Sequence, residues 1–338
     1  MTKIAFLFPG QGSQRVGMGR DFHDNFACAR AVFQEADEAL GFSLSKLIFE
    51  GPEGDLKLTE HTQPAILTAS VAVARVLAEK GVVPEISAGH SLGEYSAHVV
   101  AGTLSFADAV RAVRLRGRYM QEAVPAGEGA MAAILGMPAE RISELCGQAS
   151  DELTATAGTP ASTESPSDSG EQRAVVAAAI VSPANLNSPE QTVISGSTQA
   201  VERASQLCKA AGAKKTVMLH VSAPFHCKLM QAAQDRLMTD LEGLVFNDPA
   251  MPVASNVDAR LVMRRAEARD CLIRQVTGTV RWVECVQLLV AQGATHFLEV
   301  GPGKVLTGLM RQIDRAQTAM HVEDIAALDK ALTALHTA

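Results

Sequence analysis

Residues 89–93 read Gly-His-Ser-Leu-Gly, and their surroundings limit what this chain can fold into. The stretch "PEISAGHS" (84–91) is strand-like, and "LGEYSAHVVAG" (92–102) has a helical pattern. A serine between two glycines at a strand-to-helix bend calls for a tight turn in which small residues let the backbone close up. The Ser91 hydroxyl then projects into a cleft. The helix that follows offers unpaired N–H groups and the positive end of its dipole to a developing oxyanion. The bland reading is a glycine-rich turn with a capping serine. The apolar strand before it and the helix after it favour a nucleophile.

The rest of the chain is consistent with an α/β architecture. "KIAFLF" (3–8) reads as a buried strand closed by Pro9 and Gly10. Helices are expected at 20–40, ended by Gly41, and at 63–81, ended by Gly81. Another is expected at 105–124, opened by Ser105 with Asp108 at capping-box spacing. Strands alternating with helices predict a parallel sheet. From about residue 126 the order becomes strand (129–136), helix (138–149), strands (174–186 and 191–196), helix (198–212), strand (214–221). That β-α-β-β-α-β order is the ferredoxin-like signature. The expected organisation is a large catalytic domain of residues 1–125 and 222–338, with a small domain inserted at 126–221. Within the insert, 151–173 is rich in Ser, Thr, Pro, Gly and acidic residues, and reads as a flexible surface loop.

Composition removes several function classes. The net charge of −7 does not attract polyphosphate, and 4% aromatic residues leave few rings for stacking bases, so no nucleic-acid partner is expected. The six cysteines form no C-x-x-C pair, so no metal or redox site is expected. "MTKIAFLFPGQG" does not read as a signal peptide, and no stretch reaches the roughly 18 apolar residues of a membrane span. The protein is read as cytoplasmic, monomeric and without a membrane partner.

A nucleophilic serine needs a base. Of nine histidines, His226 stands out, because "VSAPFHC" (221–227) places it after a proline-bearing break at a strand end, where α/β scaffolds carry catalytic groups. His90 and His98 lie too close in sequence to Ser91 to reach it easily across a cleft. His90 is read as support for the bend. Gly10-x-Gly12 is followed by Arg15 where a dinucleotide fingerprint needs glycine, and "GPGKVL" lacks the Ser or Thr of a phosphate loop.

Taken together, "FPGQGSQ" (8–14), "TQPAI" (62–66), "GHSLGEYSA" (89–97), "RGRYMQ" (116–121), "NSPEQTVISG" (187–196), "APFH" (223–226), "VRW" (280–282) and "EVGPGKVL" (299–306) resemble the malonyl-CoA:acyl carrier protein transacylases, in order and across nearly the whole chain. The resemblance implies an α/β-hydrolase-like large domain with a parallel sheet plus an inserted ferredoxin-like small domain. It implies a catalytic pair of Ser91 and His226, with the histidine oriented by the backbone carbonyl of Gln275. It implies an oxyanion hole from the backbone N–H groups of Gln11 and Leu92. Arg116 matches the arginine that pairs with the malonyl carboxylate, although Arg111, Arg114 and Arg118 share its helix and the residues alone do not rank it above them. Gln63, Asn185 and Asn187 match substrate-lining positions. Phe225 matches malonyl-selective members, whereas methylmalonyl-selective relatives tend to carry a smaller residue there. The implied reaction moves malonyl from malonyl-CoA to phosphopantetheinylated acyl carrier protein for fatty acid synthesis, with no cofactor. Thr279 departs from the proline common before "VRW". Rival readings are a trans-acting polyketide acyltransferase, a serine esterase and a catalytically silent docking domain.

Overall fold

The computed structural model describes residues 3–157, 179–219 and 221–336. The chain opens with β1 (Ile4–Phe8), whose Phe-rich, almost fully buried run forms the middle of a sheet. The predicted helix at 20–40 is two helices, α1 (Arg20–Asn25) and α2 (Ala27–Leu40). Phe26 breaks them by adopting an extended backbone (φ −126°, ψ 124°). No glycine or proline marks this break, so periodicity ran straight through it. Short helices α3 (Leu44–Glu50) and α4 (Glu53–Leu56) lead to α5 (Thr59–Glu79), which starts a turn earlier than its pattern suggests and carries Pro64 in its second turn. From Thr62 to Ala74 every residue of α5 is buried, as expected of a helix apolar all round.

β2 (Ile86–Gly89) ends at the glycine, two residues short of the predicted strand, and α6 (Gly93–Val100) and α7 (Phe106–Glu122) follow. At the start of α7 the Asp108 N–H donates to Ser105 Oγ at 3.1 Å, while the Asp108 carboxylate accepts from the Ser105 hydroxyl at 2.7 Å. Only half of a capping box is therefore formed.

Next come β3 (Gly129–Leu135), α8 (Ala139–Ala157), β4 (Val181–Ser188), β5 (Gln191–Ser197), α9 (Thr198–Ala210) and β6 (Lys215–Met218). The loop expected at 151–173 is corrected at its start: 151–157 continue α8, and 158–173 lie outside the described residues. Helix α8 runs on because Leu153 packs against the small core of this region and Glu152 pairs with Arg203 of α9 at 2.6 Å. Its Ser- and Thr-rich composition hid that anchorage. The chain continues through α10 (Gln231–Glu242), β7 (Val253–Ala254), β8 (Leu261–Val262), α11 (Arg265–Arg274), α12 (Trp282–Ala291), β9 (His296–Val300), α13 (Val305–Ile313), β10 (Thr318–Val322) and α14 (Ile325–His336).

Two sheets result. One has six strands in the order β10-β9-β1-β2-β7-β8, parallel except for β8. The other has four antiparallel strands in the order β4-β5-β3-β6, with α8 and α9 sharing its apolar core. A short parallel bridge joins the two regions. The Val280 N–H donates to the Ala184 carbonyl at 2.8 Å, and Leu186 N–H to the Val280 carbonyl at 2.9 Å. Thr279 adds a bond from its hydroxyl to the Pro183 carbonyl at 2.8 Å. β1 and β2 are in register with Phe8 opposite Gly89, so the loops carrying Gln11 and Ser91 leave adjacent parallel strands at their carboxyl ends. That edge is where open α/β sheets place ligands.

Candidate active site

Close approach explains the glycines. A Cβ on Gly89 would lie 1.9 Å from the Gly93 carbonyl carbon, and one on Gly93 would lie 2.1 Å from the Phe8 carbonyl oxygen. Both obstacles are backbone, so neither position tolerates a side chain without moving the bend. Between them Ser91 takes φ +51°, a left-handed conformation costly for a serine. It is held there by neighbours. The Ser91 N–H donates to Asn256 Oδ1 at 2.7 Å, Asn256 Nδ2 donates to the Gly89 carbonyl at 2.8 Å, and Gln275 Nε2 donates to the Ser91 carbonyl at 3.0 Å.

His226 is also left-handed, with φ +60°. Its Nε2 lies 2.7 Å from Ser91 Oγ, and its Nδ1 lies 2.9 Å from the Gln275 carbonyl oxygen. A carbonyl can only accept, so Nδ1 carries the proton and Nε2 presents a lone pair to the serine hydroxyl. Burial, reinforced by the Arg116 charge, pushes the imidazole down to about 3. At neutral pH it is an uncharged proton acceptor. The partner of Nδ1 is thus the backbone carbonyl of Gln275 and not a carboxylate.

Arg116 arrives from α7. Gly117 lets that helix close on the start of α5, because a Cβ there would meet the Thr59 carbonyl oxygen at 2.5 Å. Arg116 is 2% exposed. Its Nη1 donates to Gln63 Oε1 at 2.8 Å, and its Nη2 to Gln275 Oε1 at 2.9 Å and to Ser91 Oγ at 3.1 Å. The other arginines of α7 point elsewhere. Arg111 bonds Asp108 and the Ala39 carbonyl, Arg114 lies over Phe42, and Arg118 faces Glu122 and Tyr119. Three-dimensional placement thus separates four arginines that one helical stretch presents as equals.

A cavity of about 580 Å³ joins these groups. Gln11, Gln63, Ser91, Leu92, Arg116, Asn185, Asn187, Phe225 and His226 all line it, while Gln275 sits behind the wall. Among the described residues the backbone N–H groups of Gln11 and Leu92 have no hydrogen-bond partner. Asn187 Oδ1 is 2.8 Å from His90 Nε2, so His90 reaches across to the four-stranded sheet and away from Ser91. Asn256 and Glu94, which brace the bend, escaped the sequence reading. Asn256 lies 165 positions from its partner Ser91 and carries no local signal. Glu94 follows Ser91 by one helical turn, a spacing that could have flagged it. All six cysteines are free, and no group of three or more His, Cys, Asp or Glu side chains among the described residues could hold a metal ion.

A half-buried serine beside a buried histidine on the carboxyl edge of a mainly parallel sheet suits acyl transfer, and an acyl transferase domain model matches residues 5–148 and 137–337. The chain is 45% identical to the malonyl CoA-acyl carrier protein transacylase of Bacillus subtilis, over 99% of this chain and 98% of that one. It is 46% identical to the Escherichia coli K12 protein of the same name, over 98% and 99%. The crystal structure of an acyl carrier protein S-malonyltransferase from Vibrio cholerae superposes with a TM-score of 0.88 at 46% identity, covering 98% of this chain and all of that one. A malonyl-transacylase solved in complex with a type II PKS acyl-carrier protein also gives 0.88, at 44% identity over 98% and 100%. The chain belongs to the malonyl CoA-acyl carrier protein transacylase family.

Proposed function

We propose that this protein transfers the malonyl group of malonyl-CoA to the phosphopantetheine thiol of an acyl carrier protein, through an ester on Ser91, and so supplies fatty acid synthesis. The observation that carries this reading is the position of Ser91 Oγ, 2.7 Å from the His226 base and 3.1 Å from the Arg116 guanidinium. His226 Nε2 takes the hydroxyl proton as Oγ attacks the thioester carbonyl. The oxyanion is received by the N–H groups of Gln11 and Leu92, whose freedom from other partners suits that role. Collapse breaks the carbon–sulfur bond, and coenzyme A leaves with the proton from His226. The carrier thiol then gives its proton to His226 and attacks the ester, and Ser91 regains its hydroxyl. No metal or cofactor takes part in these steps.

Arg116 selects the acyl group. A carboxylate entering this cavity loses its water, and a buried guanidinium offsets that loss. Gln63 holds the guanidinium in place. The Phe225 ring, next to His226 on the cavity wall, leaves little room for an α-methyl branch. Asn185 and Asn187 offer amides to the pantetheine arm, the neutral counterpart of the charged end.

The same reading takes residues 1–125 and 222–338 as an α/β-hydrolase-like catalytic domain and 126–221 as a ferredoxin-like insert. The strand order β4-β5-β3-β6 with two helices on one core supports the second. The large exposed apolar side chains include Val83, Val245 and Met263, on separate segments, in keeping with a monomer. No helix among the described residues is long and apolar enough to cross a membrane, which agrees with a cytoplasmic place of action.

The test is transfer of labelled malonyl from malonyl-CoA to a carrier protein in its holo and apo forms. Label is expected on the holo form alone, and release as free malonate would identify a hydrolase instead. The relative solved with a polyketide carrier keeps a second pathway in view. A higher kcat/KM with a polyketide carrier than with the fatty acid carrier would favour it.

A further inference from the structure

One carboxyl group behind the site has no part in the steps above. Glu94 lies in the first turn of α6 and is fully buried. Its Oε2 accepts from Gln275 Nε2 at 2.6 Å and from the Asn256 backbone N–H at 3.1 Å, while its Oε1 has no partner among the described residues. The Gln275 side chain makes a long contact from Nε2 to Asn256 Oδ1 at 3.5 Å and two shorter bonds. Its Nε2 donates to the Ser91 carbonyl at 3.0 Å, and its Oε1 accepts from Arg116 Nη2 at 2.9 Å.

These partners fix the Gln275 amide one way round. Two oxygens, from Glu94 and Ser91, demand the NH₂ end on one side, and a guanidinium demands the oxygen on the other. A flipped amide would set oxygen against two oxygens and NH₂ against Arg116, losing all three bonds. Burial raises the Glu94 carboxyl to about 7, and Oε2 remains an acceptor whether or not Oε1 carries a proton. Glu94 also stands one amide away from Arg116, and the side-chain oxygens on the guanidinium, from Gln63, Gln275 and Ser91, belong to neutral groups. The cation is therefore aimed without being paired to a carboxylate of the protein, and its charge stays free for a substrate carboxylate.

We propose that Glu94 is a positioning residue for Arg116: by fixing the Gln275 amide it aims the guanidinium at the carboxylate of the incoming acyl group without neutralising it. The proposal rests on the reading that Arg116 pairs with that carboxylate. It predicts damage confined to charged acyl groups, which a merely structural role would not produce.

The test compares Glu94→Leu, Glu94→Gln, Gln275→Met and Arg116→Ala. For each, kcat and KM for malonyl-CoA are measured beside the acylation burst with the uncharged ester p-nitrophenyl acetate. Losing a hydrogen bond to a charged group predicts a fall in malonyl kcat/KM of about ten- to a hundredfold in Glu94→Leu, mostly as a higher KM. The p-nitrophenyl acetate burst should fall by less than about threefold, and Glu94→Gln, which keeps an oxygen acceptor, should return malonyl transfer to within about threefold of wild type. Gln275→Met keeps the backbone carbonyl on His226 but removes an amide that also bonds the Ser91 carbonyl, so both substrates should lose activity, malonyl transfer by about tenfold more than the p-nitrophenyl acetate burst. It decides the matter alone if Glu94→Leu does not fold. Equal losses with both substrates, or unchanged malonyl transfer, in the folded variants would overturn the proposal. If Arg116→Ala itself shows no malonyl-selective loss, the reading beneath the proposal fails. If Arg116→Ala shows that loss and neither Glu94→Leu nor Gln275→Met does, the role of Glu94 alone fails.

Discussion

The two sheets that bound the cavity contribute different kinds of surface. The parallel-sheet side supplies the charge, the titratable groups and the strained backbone: Ser91 and His226 at positive φ, buried Arg116 and Glu94, and His90 and His98. The four-stranded side supplies neutral lining, with Asn185, Asn187, Met131, Ala133 and Val193. Strained residues persist only where surrounding structure over-determines them. Here that support is the set of bonds from Asn256 and Gln275, backed by the larger core. The difference teaches where each kind of mutation acts. On the proposed function, changes on the parallel side should alter bond making and the choice of acyl charge, and changes on the antiparallel side should alter how firmly the long substrate arm is held.

The largest effect is expected on the strained side. His226→Ala removes a base that works as a unit with its nucleophile, so acylation by malonyl-CoA should slow by about three orders of magnitude or more. Rapid-quench measurement of the malonyl-enzyme burst checks this, and a near-normal burst would take the base away from His226. Arg116→Ala comes next. Leaving a desolvated carboxylate unpaired costs about 3–5 kcal/mol, or two to four orders of magnitude in malonyl kcat/KM, with acetyl-CoA far less affected. Equal losses would make Arg116 a structural residue and erase the charge contrast between the two regions.

On the neutral side, Asn187→Ala forfeits ordinary hydrogen bonds, so KM for malonyl-CoA should rise by no more than about tenfold with kcat nearly unchanged. A collapse in kcat would show that the antiparallel sheet shares in the chemistry.

The smallest effect concerns pH. Burial depresses His90, and holds His98 and His226 at about 3, below the ordinary 6.5. The stability they contribute is present above 6.5 and is lost as pH falls towards 3, because the unfolded chain takes up protons first. Glu94 acts in the opposite sense. Raised from 4.5 to about 7, its contribution is lost as pH rises through that interval. Burial raises Glu299 as well, and three histidines outweigh these two carboxyls, so the thermal midpoint should drop between pH 6.5 and 4.5. A midpoint that rises over that range would contradict the burial of these groups.

Much of this was legible in the sequence, and the parts that were not have identifiable causes. The Ser91 bend could be read because its glycines, strand and helix lie within a few residues of one another. The break at Phe26 could not, because a residue ordinary in helices adopts an extended conformation to meet the core, and local pattern holds no trace of that. The continuation of α8 was hidden by composition, since one leucine and one ion pair anchor a segment that otherwise looks polar. Arg116 stood out from its neighbours only by family resemblance. What distinguishes it physically is the close approach of two helices at Gly117, a property of packing. Asn256 was missed because a residue that braces a strained turn from another part of the chain has no spacing rule, whereas Glu94, one helical turn past Ser91, lay within reach of local spacing.

The central claim is that Ser91 carries the malonyl group between donor and carrier. The most direct measurement is intact-mass and peptide-mapping mass spectrometry of the protein after brief mixing with malonyl-CoA and acid quench. The account predicts one malonyl ester, on the peptide containing Ser91, absent from Ser91→Ala and discharged when holo-acyl carrier protein is added. A malonyl adduct on another residue, or one that persists in Ser91→Ala, would contradict it.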